Sequence, residues 1–169
     1  GVAFASKFSR SGHFERTFHY KMPDRLLTLD QKELEDEDME GNVEVQIAGY
    51  ESLDTVRLDK RFTSRGASAE EARGMASQIQ YNVVLEDSIL YFDDQMRISE
   101  NSYFRNQSIG LTLYIPYDRP FAMTKAFYFD KLSSWGQRNI SNYQLHSENI
   151  NWSKLRWVVK RDKGLECIN

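Results

Sequence analysis

Hydrophobic and polar residues alternate most regularly in residues 104–121, FRNQSIGLTLYIPYDRPF. Aliphatic side chains occupy every second position of this segment, at Ile109, Leu111, Leu113 and Ile115. This period of two is typical of a strand that buries one face. Pro116 follows directly and has no N–H to donate to a ladder in the middle of a sheet. The pattern therefore predicts a core strand that ends at this proline.

Three segments in the first half of the chain show the same period. Aromatic residues lie at even positions in residues 13–22, which favours a first strand. Aliphatic residues alternate with polar ones in residues 43–47 and again in residues 56–62. Each of these strands is expected to have one buried and one wet side. The wet side of the last one is charged, with Arg57, Asp59 and Arg61.

The second half of the chain contains further strand signals. Residues 81–94 hold two apolar runs on either side of residues 86–88, which fits a hairpin or one bent strand. Aromatic side chains alternate through residues 127–129, again with the period of a strand. The chain closes with a predicted strand at residues 155–159 and a turn signal at residues 162–164.

One segment has the pattern of a helix. Ser68 and Glu71 have the spacing of a capping box, in which each side chain accepts a hydrogen bond from a backbone N–H near the other residue. Small apolar residues follow at helical spacing and form a narrow stripe suited to lying close against a sheet. The stripe consists of Ala69, Ala72, Met75, Ala76 and Ile79. We predict a helix of about three turns near residues 69–80.

Many short strands and one short helix predict a mainly β fold. The pattern fits a single β-rich domain, built either as a solenoid-like coil or as stacked sheets of short strands. Residues 1–42 are expected to form an N-terminal strand and an acidic loop of the same domain, and residues 43–169 its β-rich core. A chain of 169 residues can bury a core of this kind without disulfides, and Cys167 is its one cysteine.

Net charge and hydropathy argue against some classes of function for this protein. The net charge of −3 argues against a nucleic-acid binder that relies on a basic field. No run approaches the roughly 18 apolar residues that a membrane-spanning helix requires, so we expect a soluble domain. The opening residues 1–6 fit either the end of a removed membrane segment or an N-terminal strand.

The sequence does not predict a metal site or a cofactor. His13, His19 and His146 lack metal-ligand spacing, although the first two would lie on one side of a strand. The acidic run at residues 33–40 lacks the spacing of an EF-type calcium loop, so we expect a solvated loop and leave cation binding by it open.

Catalytic motifs are also missing from the sequence. No GxSxG elbow is present, and Cys167 lies too near the end of the chain to be placed in a cleft. The pair Asp93 and Asp94 follows an apparent strand, where adjacent carboxylates are common in an acidic chain. We therefore expect a protein that is not an enzyme, and a hydrolase on a β scaffold ranks last among the alternatives.

A candidate interaction surface is suggested by aromatic and basic residues near the end of the chain. The tryptophans could form a sugar-binding face, although packing is the commoner use of such rings. The basic cluster follows a predicted strand, where a solvated end is commoner than a lipid-headgroup site. The candidate residues are Trp135, Trp152, Lys160, Arg161 and Lys163.

Three motifs in succession resemble the C-terminal region of Bacteroidetes membrane proteins that carry a PspC (phage shock protein C) domain. They are an A-x-x-A-x-x-I-x-Y helix with a D-S-x-L-x-F strand, an R-x-Q-x-x-x-x-x-L-Y-I-P strand, and a closing W-V…G-L-x-C element. The matching residues are Ala72, Ala76, Ile79, Tyr81, Asp87, Ser88, Leu90, Phe92, Arg105, Gln107, Leu113, Tyr114, Ile115, Pro116, Trp157, Gly164, Leu165 and Cys167.

This resemblance covers roughly residues 43–169 and implies a solenoid-like domain related to the toast-rack domains of bacterial envelope-stress proteins. It implies a membrane tether through a PspC segment that is absent from this chain, protein partners in the cell envelope, and no catalytic residues. The expected function is envelope-stress sensing or a protein-interaction scaffold. The alternative is a surface or secreted adhesin-like module that binds carbohydrate or protein. The side of the membrane and the oligomeric state stay open.

Overall fold

A computed structural model describes residues 10–33, 39–97, 107–133 and 149–169. These residues form twelve strands, two α-helices and one 3₁₀ turn. The strands are β1 (Arg10–Lys21), β2 (Thr28–Lys32), β3 (Met39–Asn42), β4 (Val45–Tyr50), β5 (Thr55–Gly66), β6 (Val83–Glu86), β7 (Ile89–Asp93), β8 (Gln95–Arg97), β9 (Ser108–Pro116), β10 (Ala122–Met123), β11 (Trp157–Lys160) and β12 (Gly164–Cys167). The helices are α1 (Ala69–Ala76) and α2 (Lys125–Asp130), and the 3₁₀ turn is Trp152–Lys154.

Two four-stranded sheets of mixed direction form most of the fold. The first sheet has the order β1-β5-β9-β4, in which β4 runs parallel to β9 and the other neighbours are antiparallel. The second sheet has the order β10-β2-β7-β6, with β6 antiparallel to β7. Two short pairs, β11-β12 and β3-β8, complete the strands. The mainly β prediction is confirmed, in its stacked-sheet form.

The predicted core strand is β9, which lies between β5 and β4. Leu111, Leu113 and Ile115 are buried and face a hydrophobic core shared with the second sheet. Ile109 is half-buried at the start of the strand, and Pro116 is its last residue. The alternation of residues therefore identified both the buried face and the end of this strand.

Two of the predicted turns take the form of hairpins. Strands β6 and β7 pair antiparallel through a two-residue turn at Asp87 and Ser88, so the hairpin is correct and the bent strand is not. Asp87 has a φ of 55°, a value that aspartate tolerates better than most residues. Strands β11 and β12 form the closing hairpin, in which Gly164 has a φ of 72°. Leu155, which was expected in that strand, lies in the turn before it.

Helix α1 is shorter than predicted and ends at Ala76. The Ser68 hydroxyl accepts from the Glu71 N–H at 3.1 Å, but the Glu71 carboxylate accepts from the Ala67 N–H instead of that of Ser68. Hydrogen bonds from residues 78 and 79 reach back only three residues, which tightens and closes the last turn. The small-residue stripe lies close to β1, because a Cβ at Gly12 would be 2.6 Å from the Ala69 carbonyl oxygen.

The strand predicted at residues 127–129 is wrong, because these residues lie in helix α2. The Thr124 hydroxyl caps the helix by accepting from the Phe127 N–H at 3.2 Å. Phe127 and its neighbour Tyr128 are both buried, which a strand with one buried face would not allow. Three aromatic residues are too few to distinguish the two-residue period of a strand from the 3.6-residue period of a helix. The cap at Thr124 is the local signal that favours the helix.

Residues 10–32 belong to the same fold as the rest, since β1 pairs with β5 and β2 pairs with β7. Most of the acidic run, residues 34–38, lies outside the described residues. Its last part is in β3, which pairs with β8, so the expected loop does not extend through residue 40. Among the described residues, no helix is long and apolar enough to cross a bilayer.

Candidate functional site

The candidate interaction surface predicted from the sequence includes two tryptophans, and the structure describes one of them. Trp135 lies outside the described residues. Trp152 is half-buried, and its ring lies 5.4 Å from that of Tyr128 and 5.6 Å from that of Phe129. Tyr128 also stacks on the buried ring of Trp157 at 5.3 Å. Trp152 therefore packs on the domain's own core, and a binding role for it stays a prediction.

Acidic side chains accompany the predicted basic cluster. The Lys160 ammonium lies 3.4 Å from the Glu166 carboxylate, and the Lys163 ammonium lies 4.0 Å from it. Arg161 forms a two-point ion pair with Glu51 and stacks 4.3 Å above the ring of Tyr117. Both lysines therefore lie beside one glutamate, whereas Arg161 pairs with a different one. Paired surface charges of this kind contribute little to stability.

The residues that the sequence analysis weighed for metal binding and catalysis, and did not predict as sites, lie apart. His13 and His19 are exposed on the same side of β1, as expected, and the described residues hold no cluster that could bind a metal ion. Asp93 ends β7, where its carboxylate accepts from the Asn82 N–H at 2.8 Å, and burial raises its pKa. Cys167 is half-buried, and its thiol donates to the Asn169 carbonyl oxygen at 3.3 Å.

A cavity lies over the first sheet, on the side away from the core. Even-numbered residues of β5 are buried, so its odd-numbered residues point outward together with their partners on β1, β4 and β9. We call this surface the outer face. It consists of Glu15, Thr17, Gln46, Arg57, Asp59, Arg61, Thr112 and Tyr114.

Arg57 and Asp59 form the fixed centre of the outer face. The Nε and Nη2 atoms of Arg57 donate to the two carboxylate oxygens of Asp59, at 2.9 and 3.0 Å. The guanidinium also lies 5.2 Å from the ring centroid of Tyr114. The Thr17 hydroxyl donates to the same carboxylate at 2.9 Å from the neighbouring strand. The hydrogen bond to Asp59 raises the pKa of Arg57, so its charge is permanent.

The groove on the outer face is open because of a glycine. Gly110 lies directly across from Arg61 in the β5-β9 pair, and a Cβ at this position would meet nothing within 4 Å. The cavity has a volume of about 780 Å³ and extends from Glu15 to Thr112. Arg61 lies 3.9 Å from the Glu15 carboxylate at one side. A strand glycine of this kind commonly marks a place where a ligand or a backbone approaches closely.

The chemistry of the outer face suits recognition of another protein. It offers guanidinium donors, carboxylate acceptors, two threonine hydroxyls and an aromatic ring on one face of a four-stranded sheet. Arginine and tyrosine are enriched at protein interfaces, where they carry much of the binding energy. Arg57 uses only two of its five N–H donors on Asp59, so it can bind both Asp59 and a ligand.

The sequence indicated only part of this site. The charged residues of β5 were recognised as its wet side, but the strand gives no sign of its neighbours. Thr17 and Thr112 lie next to Asp59 because β1 and β9 pair with β5 in one particular register. Register depends on the packing of the whole sheet, so no local pattern could have identified the groove.

Comparison with known protein families gives a match over most of the chain. A protein-family model described as a ToastRack found in some PspC matches residues 29–169. Neither the curated proteins nor the solved structures gave a significant match. The matched segment includes β9 and the closing hairpin, the same elements that carry the resemblance in the sequence.

Proposed function

Since the chain belongs to the toast-rack family found in some PspC proteins, we propose that it is a non-catalytic binding domain of a membrane-associated protein. Its partner is another protein, which it binds with the outer face of the first sheet. The PspC part of the full-length protein supplies the membrane tether.

The observation that carries this proposal is the fixed Arg57–Asp59 pair beside an open groove. The guanidinium is held by two hydrogen bonds and by the Tyr114 ring before any partner arrives. A side chain that is already ordered loses little conformational entropy on binding. Because Arg57 keeps its proton at neutral pH, the pair supplies neither a general acid nor a general base through this side chain.

The place of action that we propose is the bacterial cell envelope, in a species of the Bacteroidetes. Here the domain works either as a sensor of envelope stress or as a scaffold that holds envelope proteins together. The family membership and the sequence motifs support this placement. A sensor changes its partner when the envelope is damaged, whereas a scaffold keeps the same partner.

Site-specific photocrosslinking in the host's own membranes tests the proposal. A benzophenone amino acid replaces Thr112 on the outer face of the full-length protein, and a control protein carries it at Leu53, which is 88% exposed on a distant loop. We expect a discrete protein adduct from the first position that weakens when Arg57 and Arg61 are both changed to alanine. Arg119→Ala, which removes an exposed arginine elsewhere, should leave it unchanged.

Two results would contradict the proposal. One is the absence of any adduct from position 112 under conditions in which the protein is folded and present in membranes. The other is the same set of adducts from position 53, because this would indicate random collision. Recovery of the full-length protein only in the aqueous fraction would separately contradict the membrane tether.

A further inference from the structure

A second groove lies on the opposite side of the first sheet, where the edges of the two sheets meet. Strand β1 is the edge of the first sheet, and β6 is the edge of the second. The Tyr20 hydroxyl links them by donating to the Val83 carbonyl oxygen at 3.3 Å. The groove has a volume of about 510 Å³, and we call it the edge groove. Its apolar lining includes Phe14, Phe18, Tyr20, Phe62, Tyr81 and Val83.

The aromatic side chains of β1 are more exposed to solvent than is usual for residues on the core side of a sheet. Phe14, Phe18 and Tyr20 point toward the core side of the sheet but are only half-buried, whereas Phe62 beside them is 5% exposed. Within the described part of the chain, β1 pairs with β5 alone, so its other edge offers unpaired backbone N–H and C=O groups.

Two cations face each other in the edge groove. Arg16 and Lys60 are direct cross-strand partners of the β1-β5 pair, and both line the groove. Like charges at opposed positions destabilise a sheet. The Lys60 ammonium donates to the Tyr81 carbonyl oxygen at 3.0 Å and lies 4.7 Å from the ring centroid of Phe18. The Arg16 guanidinium lies 5.0 Å above the ring of Phe14.

No carboxylate among the described residues lines the edge groove. Asp93 attracts Lys60 electrostatically, but it lies outside the lining and its carboxylate accepts from the Asn82 N–H. Burial lowers the pKa of Lys60 to about 8, Asp93 opposes this change, and Arg16 adds to it. The groove therefore combines an apolar surface with an excess of positive charge, in a chain whose net charge is −3.

We propose that the edge groove binds an extended segment of another protein, which adds a strand to β1 and places a carboxylate over Arg16 and Lys60. Alternate side chains of such a strand point into the groove. The central one is acidic and neutralises the opposed cations. Its neighbours on the same face are aromatic or aliphatic and cover Phe14, Phe18 and Tyr20.

A second copy of this chain fits the groove less well. The side of β1 that faces the groove carries Arg10 and Arg16 and has no acidic residue. A two-fold pairing of β1 with itself keeps these sides together, so it adds cations to cations. A partner with a carboxylate has the complementary charge, and the proposal does not depend on the outer face.

Peptide binding to the 169-residue chain tests this inference. The probe is a labelled peptide, Thr-Phe-Thr-Glu-Thr-Phe-Thr, and the control peptide has lysine in place of glutamate. We expect the glutamate peptide to bind at least about tenfold more tightly by fluorescence anisotropy, the difference of a charge-assisted hydrogen bond. Arg16→Gln should remove this preference, while Arg119→Gln, which changes an exposed arginine outside both grooves, should leave it unchanged.

Hydrogen exchange locates the bound peptide. We expect slower exchange of alternate amides in β1, and a binding affinity that falls as salt concentration rises. Equal affinity for both peptides, no binding of either, or protection confined to other strands would overturn the proposal. So would a concentration-dependent dimer in analytical ultracentrifugation that protects β1, because β1 would then pair with itself. Arg16 is exposed, so its replacement leaves the core intact.

Discussion

Lys60 gives the fold a pH dependence that can be measured directly. The side chain is only 6% exposed, and burial lowers its pKa from 10.5 to about 8. The unfolded chain binds this proton more tightly than the folded protein does. Between these two pH values the unfolded state holds more protons than the folded state, so unfolding takes up a proton, and stability therefore rises with pH.

The size of the effect follows from the two pKa values. One pKa unit corresponds to about 1.4 kcal/mol, so the charged Lys60 costs the fold about 3 kcal/mol below pH 8. Between about pH 7 and about pH 9.5, wild-type stability should rise by about 2 kcal/mol relative to Lys60→Met, which has no charge at this position. The loss of the hydrogen bond to Tyr81 affects the methionine variant equally at every pH.

Urea unfolding at several pH values measures this difference. Trp157 is fully buried, so tryptophan fluorescence reports the unfolding. Other titrating groups are common to both proteins and cancel when the two free energies of unfolding are subtracted. A difference that stays constant with pH, or that changes in the opposite direction, would refute the account of Lys60 as a buried charge that destabilises the fold.

Two substitutions test the core and the second helix. Leu113→Ala should lower the free energy of unfolding by about 2 to 5 kcal/mol, because the side chain is 0% exposed in the central strand, while Thr112→Ala on the outer face should cost at most about 0.5 kcal/mol. Equal urea midpoints for the two variants would contradict the assignment of faces in β9. Thr124→Ala should cost about 0.5 to 2 kcal/mol by the same assay, because it removes the cap on Phe127 and the 2.8 Å hydrogen bond to Asp30. Thr124→Ser should restore most of this stability, and a cost as large as that of alanine would contradict the cap.

The parts of the fold that sequence could predict are those with a long and regular pattern. In strand β9, aliphatic residues alternate with other residues over seven positions, so both its buried face and its end could be predicted. Ser68 and Glu71 located the start of helix α1, but its end depends on a tightened turn that has no sequence signature. Helix α2 was missed because three aromatic residues suit a strand as well as a helix.

The candidate site was less predictable than the fold. The sequence suggested the basic residues near the end of the chain as a binding surface, but in the structure each of them lies beside an acidic side chain. Glu51 is 110 positions away from Arg161, so their pairing could not be inferred locally. Both grooves likewise combine residues from strands that are far apart in sequence, since β1 and β9 are neighbours of β5.

Filling the groove on the outer face gives the most direct test of a binding function. Gly110 has open space where its Cβ would lie, so Gly110→Tyr should fold normally and occupy the groove. Gly74→Ala, at another open position in helix α1, is the matched control. The measurement is quantitative recovery of the position-112 photocrosslinked partner from host membranes, with thermal melts confirming that both variants fold. We expect Gly110→Tyr to abolish recovery and Gly74→Ala to retain it, whereas undiminished recovery with the folded Gly110→Tyr variant would contradict binding at the outer face.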